Sequence, residues 1–351
     1  MVIGLSAVIV AVTKESPRIL TIAAPSPRSV GAGRSRVGAN PARGRAIPRR
    51  TDAMEGSLAS ARDGAEGDVL PYGPLDPEAD RTFELTLRRW VRERTGLDLG
   101  YVEQLYTFGD RDRSAQRPVG APKVISVAYL ALVREDRPTG PDRPRWRDWY
   151  TFFPWEDWRQ DQPEVIRRTI APALSTWAAQ APRGSPREER RERAGIAFGL
   201  EGAGWDADRV LDRYELLYEV GLVREAHRDR KRAGADPTQG PGLGHAMDMD
   251  HRRILATGLG RIRGKLRYRP VVFELLPGTF TLLRLQTVVE ALVGLRLHKQ
   301  NFRRLVESGG LVEGTGKLDS RTGGRPAEIF RFRREVLRER RAPGVVLPGS
   351  R

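Results

Sequence analysis

Hydrophobic positions change their spacing several times along this chain. From Val2 to Val12 the residues are apolar and largely β-branched, the pattern of a buried strand. "KESPR" turns the chain, and "ILTI" then predicts a second short strand, so the two form a hairpin. From Ala23 to Gly67 no period remains. Gly, Pro, Ser, Ala and Arg dominate, which predicts a disordered insertion. Order returns with Phe83, Leu87, Trp90 and Val91 at helical spacing on one face. Glu84 with Arg88, and Arg89 with Glu93, are spaced to pair across a turn, and Gly96 supplies the left-handed exit. "YVEQLYTFG" and "KVISVAYLALV" predict two strands around a charged turn, so the first part is mixed α/β.

The middle is less regular. Pro138 to Arg159 is a proline-rich loop leading into "RWRDWYTFFPWEDWR", with Trp146, Trp149, Trp155 and Trp158. A packed lid or dimer surface suits this cluster better than a nucleotide-stacking wall. Helices are predicted over 166–179 and 206–222, with polar breaks at 181–195 and 229–244, the second taken as a domain boundary. Periodicity resumes at Asp250, an N-cap candidate, with Ile254, Leu255, Leu259, Ile262 and Leu266 on one face. A helix from Thr281 buries Leu282, Leu285, Val289 and Leu292 and stops at Gly294. A further helix, "LHKQNFRRLVESG", buries Phe302, Leu305 and Val306. Two strands follow, "GLVEGTG" and "RPAEIFRFR", around the tip "GKLDSRTGGR".

At 351 residues, 39% hydrophobic, the chain can hold two domains. Its net charge of +16 points to a nucleic-acid partner before an anionic membrane surface, and part of the arginine excess is only solvated surface. No cysteine is present, which excludes disulfides, thiolate zinc sites and cysteine nucleophiles and fits a reducing cytosol. No apolar run approaches the roughly 20 residues of a membrane span, and the apolar start has no basic flank or cleavage site. A cytoplasmic protein without membrane contact is expected. His227, His245, His251 and His298 share no helical face with ligand spacing, so no metal site is expected.

Helix, turn, helix, hairpin is the order of a winged helix-turn-helix. Its second helix offers His298, Lys299, Gln300, Asn301, Arg303 and Arg304 from the exposed side. Arg and Lys suit guanine acceptors and phosphates, and Asn and Gln suit adenine. Lys317, Arg321 and Arg325 at the wing tip can reach phosphates or a minor groove. The bland alternative is a protein-packing module with solvated basic residues.

"LRRWVRERTGL", Leu87 to Leu97, follows part of the Nudix hydrolase motif. Arg89, Val91, Glu93, Gly96 and Leu97 fit it. Arg81, Trp90 and Arg94 stand where acidic metal ligands belong, and an arginine there repels a cation. On this motif alone an ordinary amphipathic helix is an equal reading. Over about 68–133 and 250–333 the chain resembles the Nudix-related transcriptional regulators of NAD metabolism, most specifically in "EQLYTFGD", "HKQNFRR" and "GGRPAEIFRFR". That resemblance implies a Nudix-like α/β/α sandwich with a mixed sheet, followed by a winged helix-turn-helix. It implies a repressor that binds double-stranded operator DNA, usually as a homodimer, and senses an ADP-ribose-like nucleotide through a catalytically impaired domain. Matching the motifs places DNA contact on Lys299, Asn301, Arg303, Arg304 and Arg325. Tyr106, Phe108 and Arg111 are candidates for the nucleotide, although Tyr106 and Phe108 also fit as plain core residues.

The expected domains are 1–22 with 68–182 as the Nudix-like part, 23–67 as the insertion, 183–249 as a helical linker, 250–341 as the winged helix and 342–351 as a tail. The chain departs from the family in its Gly/Arg-rich insertion and in the long region 138–244. The competing reading is an active pyrophosphohydrolase, with Mg²⁺ held by Glu93 and helpers such as Asp76, Glu78, Glu84 or Glu103; otherwise no cofactor is expected.

Overall fold

Alternation along the first strand decides the architecture. In β1 (Val2–Thr13), Leu5, Ala7, Ile9 and Ala11 join one buried cluster, while Val8, Val10 and Val12 join another. Successive side chains point to opposite faces of a sheet, so both faces must be covered. The computed structural model describes residues 2–13, 15–23, 68–78, 80–109, 124–232, 241–320 and 326–345. β1 pairs antiparallel with β2 (Ser16–Ala23) in the expected hairpin. β3 (Asp68–Val69) extends β2, and β4 (Tyr72–Pro74) pairs with β1. α1 (Phe83–Thr95) follows, then β5 (Tyr101–Phe108), β6 (Val124–Leu132) and β7 (Arg145–Asp148). β6 lies parallel to β1, from Val2 beside Val124 to Val10 beside Leu132, and antiparallel to β5. The main path of the sheet is thus β3-β2-β1-β6-β5, with β7 on β2.

α1 covers one face through Leu87, Trp90 and Val91. Thr82 caps it by accepting from the Leu85 amide at 3.2 Å, and Gly96 ends it at φ 72°. Phe83, expected inward, is 36% exposed at the first position of α1.

The other face carries a helical layer. α2 (Ala171–Ala179) follows a π-helical stretch (Ile166–Ile170), and α3 (Ser185–Phe198), α4 (Val210–Val220), α5 (Arg224–Arg232) and α6 (His251–Leu266) come after it. α6 packs on the sheet so closely that a Cβ on Gly258 would lie 3.0 Å from Val8. One expectation is corrected here. The polar break at 181–195 is largely helix, because Ala194, Ala197 and Phe198 give α3 a short buried stripe beneath its charges. In the stretch 183–249, α3 and α4 share one buried cluster with α6 and with the winged helix.

The winged helix begins after α6. A 3-10 turn (Val271–Leu275) leads to β8 (Phe280–Thr281), α7 (Leu282–Val293), α8 (Lys299–Ser308), β9 (Val312–Asp319) and β10 (Ala327–Phe332), with a short α9 (Val336–Glu339) last. β8, β10 and β9 form a three-stranded sheet in that order. The tail expected from 342 is anchored at its start: Val345 is fully buried and its amide donates to the Leu266 carbonyl at 2.7 Å. The insertion expected at 23–67 lies, apart from Ala23, outside the described residues.

Candidate nucleic-acid interface and sensor site

The helix pair of the winged helix is fixed by its own sequence. Thr281 accepts from the Arg284 amide at 3.2 Å and caps α7, and Gly294 ends it at φ 78°, a left-handed conformation that glycine adopts without penalty. Glu290 then ties the turn to the helix before it. It accepts from the Leu297 amide and from Gln286, both at 2.9 Å, while Gln286 also donates to the Leu297 carbonyl. α8 buries Phe302 and Val306, with Leu305 half-buried beside them. Spacing of one and four residues puts the remaining positions outward.

Lys299, Gln300, Arg303 and Arg304 are exposed and Asn301 is half-buried. Arg304 donates to the Asn301 side-chain oxygen at 2.8 Å, so the guanidinium and the amide are held together. Arg303 meets Glu307 at 3.2 Å across one turn, an exposed pair that is cheap to exchange for a phosphate or a base. Lys317 is exposed on β9. Gly316 there has φ 71° with open space around it, so conformation rather than room requires glycine. Arg321 and Arg325 lie outside the described residues.

In the first part of the chain, α1 shows what stands at the motif positions. Trp90 is buried against Gly73, where a Cβ would come within 1.9 Å of the indole. Arg94 pairs with Asp142 at 3.2 Å and lies over Trp90, 5.3 Å from the ring centre. Arg89 meets Asp80 instead of the expected Glu93, while Glu84 and Arg88 pair as expected at 2.9 Å. Glu93 is exposed. Among the described residues no three His, Asp or Glu side chains gather as metal ligands. Of the nucleotide candidates, Phe108 is buried and Tyr106 is 66% exposed on the same strand, their rings edge-on at 5.7 Å. The bulge between Gln104 and Thr107 in the β5–β6 pairing turns Tyr106 outward. Arg111 lies outside the described residues.

The residues that join the sheet-based core to the winged helix were not singled out in the sequence. Glu156, between Trp155 and Asp157, is fully buried and bound by two fully buried arginines. Arg213 reaches it with Nε and Nη2, and Arg263 with Nη1. Burial alone would raise this carboxyl; Arg213 and Arg263 outweigh it and hold it below the usual carboxylate range. Arg263 also donates from Nε to the Leu292 carbonyl at 3.0 Å, near the end of α7. The Tyr150 hydroxyl donates to Ala291 at 2.8 Å, and burial pushes it up to about 12. The Trp158 amide donates to Gly294 at 2.7 Å. The tryptophan segment therefore grips the C-terminus of α7. Trp149 and Trp155 are wholly buried and Trp158 packs tilted against Trp205 at 4.4 Å, which makes the segment a packed seam. The doubled aromatics around "WED" were the only sequence hint that the acid between them is buried.

Residues 272–332 match the family model of the NrtR DNA-binding winged helix domain. The ADPR responsive transcriptional repressor NtrR of Acinetobacter baylyi is 37% identical over 83 residues, which cover 24% of this chain. The matched stretch spans 33% of that protein's length. NrtR of Shewanella oneidensis aligns over 96% of both chains at 17% identity, with a TM-score of 0.48. The same protein crystallised with a 27mer DNA gives 18% identity over 96% of this chain and 95% of that one, with a TM-score of 0.46. No helix among the described residues is long and apolar enough to cross a membrane.

Proposed function

We propose that this chain, which carries the winged helix of the NrtR family at residues 272–332, is a transcriptional repressor that holds operator DNA and responds to an ADP-ribose-like nucleotide. The carrying observation is α8 itself: Lys299, Gln300, Arg303 and Arg304 are exposed on one helix, with Asn301 tethered beside them. Such a helix fits the major groove, where arginine and asparagine have matching base partners. Nucleotide sensing is supported by the repressor from Acinetobacter baylyi, whose ADPR response is stated of that protein. It is also supported by the motif positions of α1, filled by a buried Trp90 and by an Arg94 that holds Asp142. A homodimer follows from the usual pairing of one such helix per half-site, about one helical turn of DNA apart.

Selection of bound duplexes from random DNA, with and without ADP-ribose, tests this reading. A pair of inverted half-sites recovered without the nucleotide, and depleted with it, is the expected result. Recovery of no preferred sequence would refute the reader assignment, and a preferred sequence indifferent to ADP-ribose would refute the sensor assignment alone.

A further inference from the structure

Between the sensor core and the winged helix lies a groove of about 940 Å³. Small-molecule sites commonly occupy roughly 300–1,000 Å³. One wall comes from the start of β5, from Arg134 just after β6 and from the end of α6; the other comes from the 3-10 turn and the base of the wing. Phe273 and Phe332 line it, stacked at 4.3 Å and only partly buried. Arg134, Arg269 and Arg334 line it as well, exposed and without an ion partner among the described residues. Lys265 and Arg331 share the groove but are already matched, by Glu103 and Glu313. Glu274 and Glu335 add acceptors.

We propose that this groove binds a nucleoside polyphosphate. The base has an aromatic face in Phe273 and Phe332, the phosphates have three uncommitted guanidiniums, and Glu274 or Glu335 can accept from ribose hydroxyls or a base amino group. The groove lies at the base of the wing, and its lining does not include the helix assigned to DNA. The site is separate from α1 and does not depend on the motif reading.

Calorimetric titration of the full chain with ATP, and separately with adenosine and with tripolyphosphate, tests the proposal. ATP is expected to saturate one site, with each fragment weaker by about tenfold or more, since base and phosphate contacts each contribute. The double variant Arg134→Glu/Arg269→Glu should weaken ATP by about tenfold or more while its melting temperature is unchanged. Phe273→Leu should narrow the advantage of ATP over tripolyphosphate. No saturable ATP binding, or binding untouched in the double variant, overturns the proposal. ADP-ribose titrated into the double variant should still bind; its loss together with ATP would make the groove the effector site itself and overturn a separate one. Failure of ADP-ribose to bind the wild type, with ATP binding intact, counts against the sensor function above and not against this groove.

Discussion

A carboxylate with no exposed surface sits between Arg213 and Arg263, and removing it leaves two guanidiniums buried without a counter-charge. Breaking a buried pair from one side costs about 3–5 kcal/mol, far more than an exposed pair is worth. Glu156→Ala is expected to lose that much in urea unfolding. Because the folded chain holds the Glu156 carboxyl low, it binds the proton less readily than the unfolded chain does. Its stabilisation is therefore full above the unfolded value of about 4.3 and is lost as pH falls through the lower folded value. The stability gap between wild type and Glu156→Gln should narrow on acidification below about pH 4; a gap that stays constant would mean the carboxylate's charge is irrelevant. Glu93 makes the opposite case. It is exposed on α1, with Trp90 and Arg94 standing at two of the acidic places of the motif. Incubation with Mg²⁺ and ADP-ribose should give no turnover that Glu93→Gln removes, and such turnover would favour the hydrolase reading.

At the scale of elements, caps and close approaches carry the argument. A methyl group on Gly294 would lie 2.4 Å from the Glu156 carbonyl, and φ there is 78°. Gly294→Ala should therefore destabilise the chain by about 1 kcal/mol or more and shift α8, weakening DNA binding beyond its effect on stability. Unchanged DNA affinity in a folded Gly294→Ala protein would show that the grip on α7 does not position α8. Helices α1 and α7 were legible in the sequence because apolar spacing agreed with the stops at Gly96 and Gly294, and α8 was legible from its apolar spacing alone. The wing strands were legible from alternation between glycine-rich turns. α3 was not, because its charged residues hide a buried stripe of Ala194, Ala197 and Phe198. The place of α6 was not either, since an amphipathic helix does not say which sheet or bundle it covers. In the candidate site, α8 was read correctly as an exposed basic face. The Glu156 junction was missed because an isolated acid gives no sign of burial until its partners, 57 and 107 residues away, are folded against it.

The sheet-based core meets the helix pair α7 and α8 through buried contacts such as Arg263 to the Leu292 carbonyl, within a chain of net charge +16. Phosphate neutralisation makes such binding salt-dependent, with about one unit lost from the logarithmic salt slope for each phosphate contact removed. Lys299→Ala should lower affinity across all sequences and reduce that slope by about 1, whereas Arg303→Ala with Arg304→Ala should relax sequence preference as well. In the proposed regulator, the nucleotide controls DNA binding by α8. Fluorescence anisotropy of the selected duplex, titrated with the full protein at about 150 mM salt with and without ADP-ribose, tests it most directly. Tight binding that ADP-ribose weakens by about tenfold or more, and that Arg303→Ala/Arg304→Ala abolishes, is the predicted result. Duplex affinity unmoved by both the nucleotide and the two substitutions would contradict it.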